Sequence, residues 1–287
     1  MLARQRQALI LDRVRQDGAV RVADLVRELD VSDMTVRRDL EVLHDQGLLE
    51  KVHGGATAPS RLASFEPAFV TKAALQQDEK AAIAAEAAKL VEPGMALAIS
   101  AGTTTYVLAS MVADIPGVTV VTNSLRVSDI LNRQGRRDQT VILTGGVRTP
   151  SEALVGPFAT ALLRTVHVDI VFMGVHGMDA KAGYTCPNLM EAETDRALIE
   201  AGRRLVVVAD HSKWGVVGIA SIARLDQADL LITDTAMAPE ALAVLRETVP
   251  EVIVAAEQSD AVEPVPASAS SASASAPTGA REAAGGD

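Results

Sequence analysis

Between residues 20 and 56, apolar positions recur first at helical and then at strand spacing. Val22, Leu25, Val26 and Leu29 fall three and four residues apart, which predicts a short amphipathic helix over 22–29. Leu29-Asp30-Val31-Ser32 reads as a tight turn. Ser32 stands at a helix N-cap, its hydroxyl able to accept from the backbone N–H of Met34 or Thr35. A second helix is predicted over 33–46, burying Val36, Leu40 and Leu43. At about 100° per residue that stripe leaves Met34 and Arg38 on the opposite face, with Thr35, Arg37 and Glu41 beside them. Gly47 supplies a left-handed stop. Residues 48–53 alternate like a strand, and Gly54-Gly55 is turn chemistry. Upstream, 3–17 predicts another helix with Ile10, Leu11 and Val14 inward, ending at Gly18.

Helix, turn, helix and wing in this order predict a winged helix-turn-helix over residues 1–57. In such a unit the second helix enters the major groove while neighbouring elements hold the backbone. Ser32, Met34, Thr35, Arg37 and Arg38 are the candidate DNA contacts on the helix, with Lys51 and His53 on the wing. A helical hairpin with paired arginines is also an ordinary solvated surface, and charge does not decide between the two. Residues 1–57 hold nine Lys and Arg against ten Asp and Glu, so non-specific attraction to DNA is weak and a symmetric oligomer is needed.

Beyond a Pro- and Ser-containing linker, 58–77, with Phe65 and Phe69 as anchoring side chains, the pattern becomes helix and strand in alternation. Helices are predicted near 78–91, 103–113, 124–133, 157–166, 188–202 and 239–247. Strands fall near 95–100, 118–122, 140–144, 168–173, 205–209, 230–233 and 252–254. VTVVT, LVVVA and LLIT are apolar without alternation, so both faces are covered. The expected fold over 78–255 is therefore a mostly parallel α/β sheet. Residues 256–287, alternating Ala and Ser with Pro and Gly, cannot bury apolar surface and are expected to be disordered.

Composition narrows the function. The net charge is −10, and nearly all of it lies beyond residue 57, which argues against an anionic membrane as partner. One cysteine, Cys186, excludes an internal disulfide and a multi-cysteine zinc site, as suits a cytoplasmic protein. No apolar run approaches 18 residues, and the first residues lead into a charged helix rather than a signal peptide. Five histidines show no metal spacing, common nucleophile and nucleotide motifs are absent, and no cofactor or catalytic residue is expected.

The strand ends carry the remaining candidate chemistry. Ser100, Gly102, Thr103, Thr104 and Thr105 close one strand and open a helix, where a glycine and free N–H groups suit an anion. Thr122, Asn123 and Ser124 end the next strand, Gly145 and Gly146 with Arg148 follow the third, and Lys213 follows a later one. Each alone reads as a capped turn; several on one rim predict a polar pocket for a small effector.

With these words in place, the chain resembles the DeoR/GlpR family of bacterial sugar-metabolism regulators from about Arg4 to Ala255. VSDMTVRRDL and EKVHGGA are similar to its DNA-binding signature. AGTTT, VTNS, LTGG, EALVGP and ADHSKWG followed by LLITD are similar to its sensor domain in order and spacing. The resemblance implies a sensor similar in fold to ribose-5-phosphate isomerase, a repressor of carbohydrate genes, operator DNA and a sugar-phosphate effector as partners, and a homodimer or homotetramer. It also adds Glu193 to the effector residues. Two positions depart from the family. Ser100-Ala101 stand where Asp is common before S-G-T-T-T, and Asp195 stands where Lys is common. A carboxylate there repels a phosphate unless Asp195 points away or Arg196 takes over. The alternative is an active sugar-phosphate isomerase with a DNA-binding head, whose loop carboxylate would be Asp179.

Overall fold

Ile10, Leu11 and Val14 of α1 (Ala3–Asp17) pack with Val22, Leu25 and Leu29 of α2 (Val22–Leu29) and with Val36, Leu40 and Leu43 of α3 (Asp33–Asp45). The computed structural model of the protein describes residues 2–17, 19–52, 54–57, 66, 69–73, 75–134 and 136–256. Gly18, His53, Phe65 and the expected disordered tail, apart from Ala256, lie outside them. Asp30 takes the left-handed conformation that ends α2, at φ 51°. Ser32 then caps α3, accepting from the Thr35 N–H at 3.2 Å. Gly47, at φ 70°, turns the chain out of α3.

The alternation predicts one strand here, and the structure has three. β1 (Ala19–Arg21) pairs with β3 (Gly55–Thr57), which pairs with β2 (Glu50–Val52), so Gly55 belongs to a strand rather than only to a turn. A Cβ at Gly55 would lie 2.0 Å from the Val20 carbonyl oxygen; the tight approach of β1 and β3 requires glycine there. Arg6 and Asp39, both buried, join α1 to α3 through a two-bond ion pair. Gln7 Nε2 donates to the same carboxylate at 3.0 Å.

After α4 (Phe69–Ala73), a short helix inside the predicted linker, the chain enters α5 (Gln77–Ala88). It then continues through β4 (Ala96–Ile99), α6 (Thr103–Val112), β5 (Thr119–Thr122), α7 (Leu125–Gln134) and β6 (Thr140–Leu143). A two-stranded ribbon, β7 (Val147–Arg148) with β8 (Leu154–Val155), precedes α8 (Pro157–Leu163) and β9 (Val168–Gly174). β10 (Gly177–Asp179) and β11 (Gly183–Cys186) lead to α9 (Leu189–Ala201), β12 (Gly202–Val208) and β13 (Ala220–Ala223). The described chain closes with β14 (Leu230–Asp234), α10 (Pro239–Thr248) and β15 (Val252–Ala255).

Seven strands form one parallel sheet in the order β15-β14-β12-β9-β4-β5-β6. Their unbroken apolar runs have the expected cause. Leu97, Ile99, Ile170, Phe172, Val206, Val208, Leu230 and Ile232 face a layer made by α5, α6 and α7. The intervening Ala98, Val171, Met173, Leu205, Val207 and Leu231 face α8, α9 and α10. A second sheet, β10-β11-β13, is antiparallel, and no alternation in the sequence marks it. Among the described residues, no helix is long and apolar enough to cross a membrane.

The Arg6–Asp39 pair makes a local prediction. Asp39→Ala leaves a buried guanidinium without its acceptor and should cost about 2–3 kcal/mol. Faster amide hydrogen exchange throughout α1 and α3, with α9 and α10 unchanged, is the expected reading.

Candidate functional sites

On α3, Met34 is 79% exposed, and Arg37 and Arg38 are exposed beside it. Arg37 pairs with Asp33 one turn back, Nε to Oδ1 at 2.5 Å and Nη2 to Oδ2 at 3.3 Å. That hydrogen bond and the carboxylate's charge raise the Arg37 pKa further. Arg38 has neither a hydrogen bond nor an ion pair among the described residues. Lys51, on β2, reaches back to Glu41 of α3 at 3.2 Å, which ties the wing to the helix. Thr35 is half-buried and its hydroxyl lies 2.8 Å from that of Ser32. Ser32 and Thr35 therefore set the start of the helix, while Met34, Arg37 and Arg38 form its outward face.

The second site lies where the strand order reverses. β4 continues to β5 on one side, and the chain later returns to place β9 on the other, which opens a crevice at the carboxyl ends of β4 and β9. Ser100 joins these ends: its N–H donates to the Phe172 carbonyl at 3.0 Å, and its Oγ accepts from the Gly174 N–H at 3.0 Å. A cavity open to solvent occupies the crevice. Gly102, Thr103 and Thr104, at the start of α6, line it, and so does Lys213.

Other residues expected on this rim do not line the cavity. Ser100 lies beneath it as the clip just described, and Thr105 is fully buried. Thr122 donates to the Ile99 carbonyl at 2.6 Å, and Asn123 accepts the Ala101 N–H at 2.9 Å, so both brace the loop from below. Ser124 accepts the Val127 N–H at the start of α7. Gly145 and Gly146, both at positive φ, lead into the β7–β8 ribbon, and Arg148 pairs with Glu152 at the surface. Glu193 is exposed, because the helical period turns it away while Glu191 and Asp195, four residues apart, face inward.

Charged lining residues that the sequence reading did not place at the site are Glu66 and Lys72 from the linker, His176 after β9, and Glu191 on α9; Asp195, also on α9, lines it rather than pointing away. Glu66 accepts the Ser151 N–H at 3.0 Å and Asn188 Nδ2 at 3.1 Å. Burial pushes its pKa up, but these hydrogen bonds outweigh that and hold it low. Ser151 Oγ donates to Glu191 at 3.1 Å. Burial, reinforced by the charge of Glu66, raises the Glu191 pKa to about 7. Burial and Glu191 together raise the Asp195 pKa well above its ordinary value. Asp195 thus faces the cavity, holding its proton more tightly than a free carboxyl does. Arg196 does not stand in for the absent lysine; it donates outward to the Ser221 carbonyl at 2.8 Å. Burial, Lys72 and Lys213 depress the His176 pKa to about 4, leaving a neutral imidazole. Asp179 accepts the N–H groups of Lys181 and Ala182 at 2.8 and 2.9 Å, a turn residue outside the cavity lining.

Family models match the chain in two stretches, the DeoR-like helix-turn-helix domain over residues 6–61 and the DeoR C terminal sensor domain over 75–235. The HTH-type transcriptional regulator GlpR of Haloferax volcanii is 36% identical over 235 residues, 82% of this chain and 91% of that protein. The HTH-type transcriptional regulator GolR of Listeria innocua is 35% identical over 234 residues, 80% of this chain and 90% of the other. The glycerol-3-phosphate regulon repressor of Escherichia coli is 31% identical over 243 residues, 84% and 94% of the two chains. Among solved structures, ribose 5 phosphate isomerase A from Neisseria gonorrhoeae aligns with a TM-score of 0.36 and 17% identity, over 48% of this chain and 54% of that one. That likeness is too slight to carry a functional argument.

The raised carboxyls predict a pH signature. Between its ordinary value of 4.5 and about 7, Glu191 keeps its proton in the folded chain where the unfolded chain has released it. Its contribution to stability therefore falls as pH rises through that window and is constant above it. Asp195 acts in the same direction. The melting temperature of Glu191→Gln should decline less than the parent's between pH 5 and 8, as scanning calorimetry would register; parallel curves would refute the assignment.

Proposed function

The chain belongs to the DeoR family of transcriptional regulators and is a DNA-binding protein; on that premise we propose that it represses carbohydrate-metabolism genes under control of a small phosphorylated sugar or polyol. The observation that carries the effector reading is the cavity at the ends of β4 and β9. There the N-terminus of α6 and the ammonium groups of Lys72 and Lys213 face one space together with hydrogen-bonding carboxyls. The name of the Escherichia coli relative, which contains glycerol 3-phosphate, supports the same ligand class.

Operator half-sites are read by Met34, Arg37 and Arg38 from α3, with Lys51 on the backbone. Arg38 is ready to contact a guanine edge, a pairing worth about 1–3 kcal/mol. Arg37 first exchanges Asp33 for DNA, which makes its contribution the more sensitive to salt. The near balance of charge in residues 1–57 favours a homodimer or homotetramer acting in the cytoplasm, since two heads double the contacts. The effector acts by binding one arrangement of the oligomer more tightly than the other. The relatives are named as regulators, and Asp179, held in a turn, offers no base for an isomerase.

A footprint on DNA flanking the protein's own gene, repeated with sugar phosphates, tests this reading. Arg38→Ala should lose the specific footprint, a drop of about 5–150-fold in affinity, while melting as the parent does. Lys213→Ala should keep the footprint but lose its response to the effector. An Arg38→Ala protein that protects the same bases as well as the parent would sink the contact assignment.

A further inference from the structure

Five large apolar side chains stand in water around the start of α9. Phe158, in the first turn of α8, is 80% exposed, Leu189 65% and Ile219 52%; Met190 and Val217 are exposed as well. The three segments that carry them meet. The Gly156 N–H donates to Thr194 Oγ1 of α9 at 3.3 Å, and a Cβ at Gly156 would lie 3.9 Å from Met190 Sδ. The Gly218 N–H donates to Thr185 Oγ1 at 3.0 Å, and a Cβ at Gly218 would fall 2.4 Å from the Cys186 carbonyl. Residues 217–219 therefore run against the end of β11, which leads into α9. None of the five lines the effector cavity and none lies in the helix-turn-helix, so neither site accounts for their exposure.

Charge is withdrawn from the same segments. Residues 153–163, 182–190 and 214–223 contain no Asp, Glu, Lys or Arg, in a chain that is 22% charged. Phe158 is the one exposed aromatic residue among those described. An exposed ring with Met and Leu neighbours and no charge among them has the composition of an interface core. Together the five expose on the order of 500 Å2, within the range of the largest apolar patch on a monomer. That is more than half of the roughly 800 Å2 each partner gives to a standard interface. The overall charge says what the partner is. At −10, two copies of the chain repel each other unless they meet where neither presents its acidic excess. The rim carries both signs: Glu193, one turn along α9 from Leu189, and Arg196, one turn further, are both exposed. An apolar centre within such a rim is complementary to its own two-fold copy.

We propose that the face formed by Phe158, Leu189, Met190, Val217 and Ile219 seats a second copy of this chain, making an isologous dimer of sensor domains with Phe158 as its anchor. This rests on the oligomer reading above and gives it a surface. The dimer forms without DNA and without effector, since nothing in the face belongs to either site.

Sedimentation equilibrium of the full chain, free of DNA and effector, tests it. The parent should show a mass that is a multiple of 30.1 kDa. Phe158→Asp and, separately, Ile219→Asp should each raise the dissociation constant of the dimer by about tenfold or more while keeping the parent's circular dichroism. Val52→Asp, an exposed apolar position on the wing, should keep the parent's mass; equal dissociation in that variant would count against this face. Hydrogen exchange of the parent needs no substitution: amides of 157–160 and 216–219 should slow as concentration rises through the association, and those of 140–143 should not. A parent that stays monomeric at every concentration defeats the oligomer reading and this face together. A parent oligomer whose mass neither aspartate changes defeats the face alone and leaves it to an unlike partner.

Discussion

Ser100 holds the carboxyl ends of β4 and β9 together, with its amide on the Phe172 carbonyl and its hydroxyl under the Gly174 amide. The rest of the sensor's chemistry depends on that clip. β4 and β9 are neighbours although 68 residues separate Ile99 from the start of the β9 run at Val168. Placing them side by side is what makes the strand order reverse and a crevice open. The first turn of α6 then meets the loop after β9: a methyl group added at Gly102 would fall 3.8 Å from the Gly174 Cα and 2.9 Å from Thr105 Oγ1. Residue 100 is thereby a structural hydrogen-bonding position.

Charge in this protein is divided between groups that hold the fold and groups left available. In the helix-turn-helix, adjacent residues of α3 have opposite fates: Asp39 is buried with Arg6, while Arg38 is exposed and has no hydrogen bond or ion pair among the described residues. The helical turn of about 100° per residue is enough to separate them. The same division recurs in the cavity, where Glu66 is hydrogen-bonded to Ser151 and Asn188 while the Lys72 ammonium, in the field of Glu191 and Glu66, makes no hydrogen bond among the described residues. Polar groups already satisfied give rigidity; those unsatisfied supply the free energy that a ligand can use.

The acid-rich lining need not oppose an anionic ligand. Glu191 and Asp195 face each other's field inside the protein, and burial drives them toward the protonated form. A proton on either carboxyl removes a repulsive charge and supplies a hydrogen-bond donor beside Lys72, Lys213 and the α6 terminus. Occupancy of the cavity and the titration of its carboxyls are therefore linked, and effector affinity will carry a pH dependence of the cavity's own making.

The two-sided apolar strands, the stripe of α3, the Ser32 cap and the left-handed Gly47 were legible along the chain, because each depends on neighbours within a few residues. The parallel sheet followed from runs that cannot face water on either side. β1, β3, β7, β8, β10, β11 and β13 were not legible, since strands of two to four residues carry too little periodicity to stand out. The cavity divided in the same way. Gly102, Thr103, Thr104 and Lys213 sit at strand ends, where local sequence announces them. Glu66, Lys72, His176, Glu191 and Asp195 come from a connector, a loop and a helix that only the folded chain brings together. Sequence by itself determined the elements and their family, because those rest on local periodicity and order. Which charges meet, and which of them keep their protons, was decided by tertiary structure, because burial and proximity belong to the space between elements.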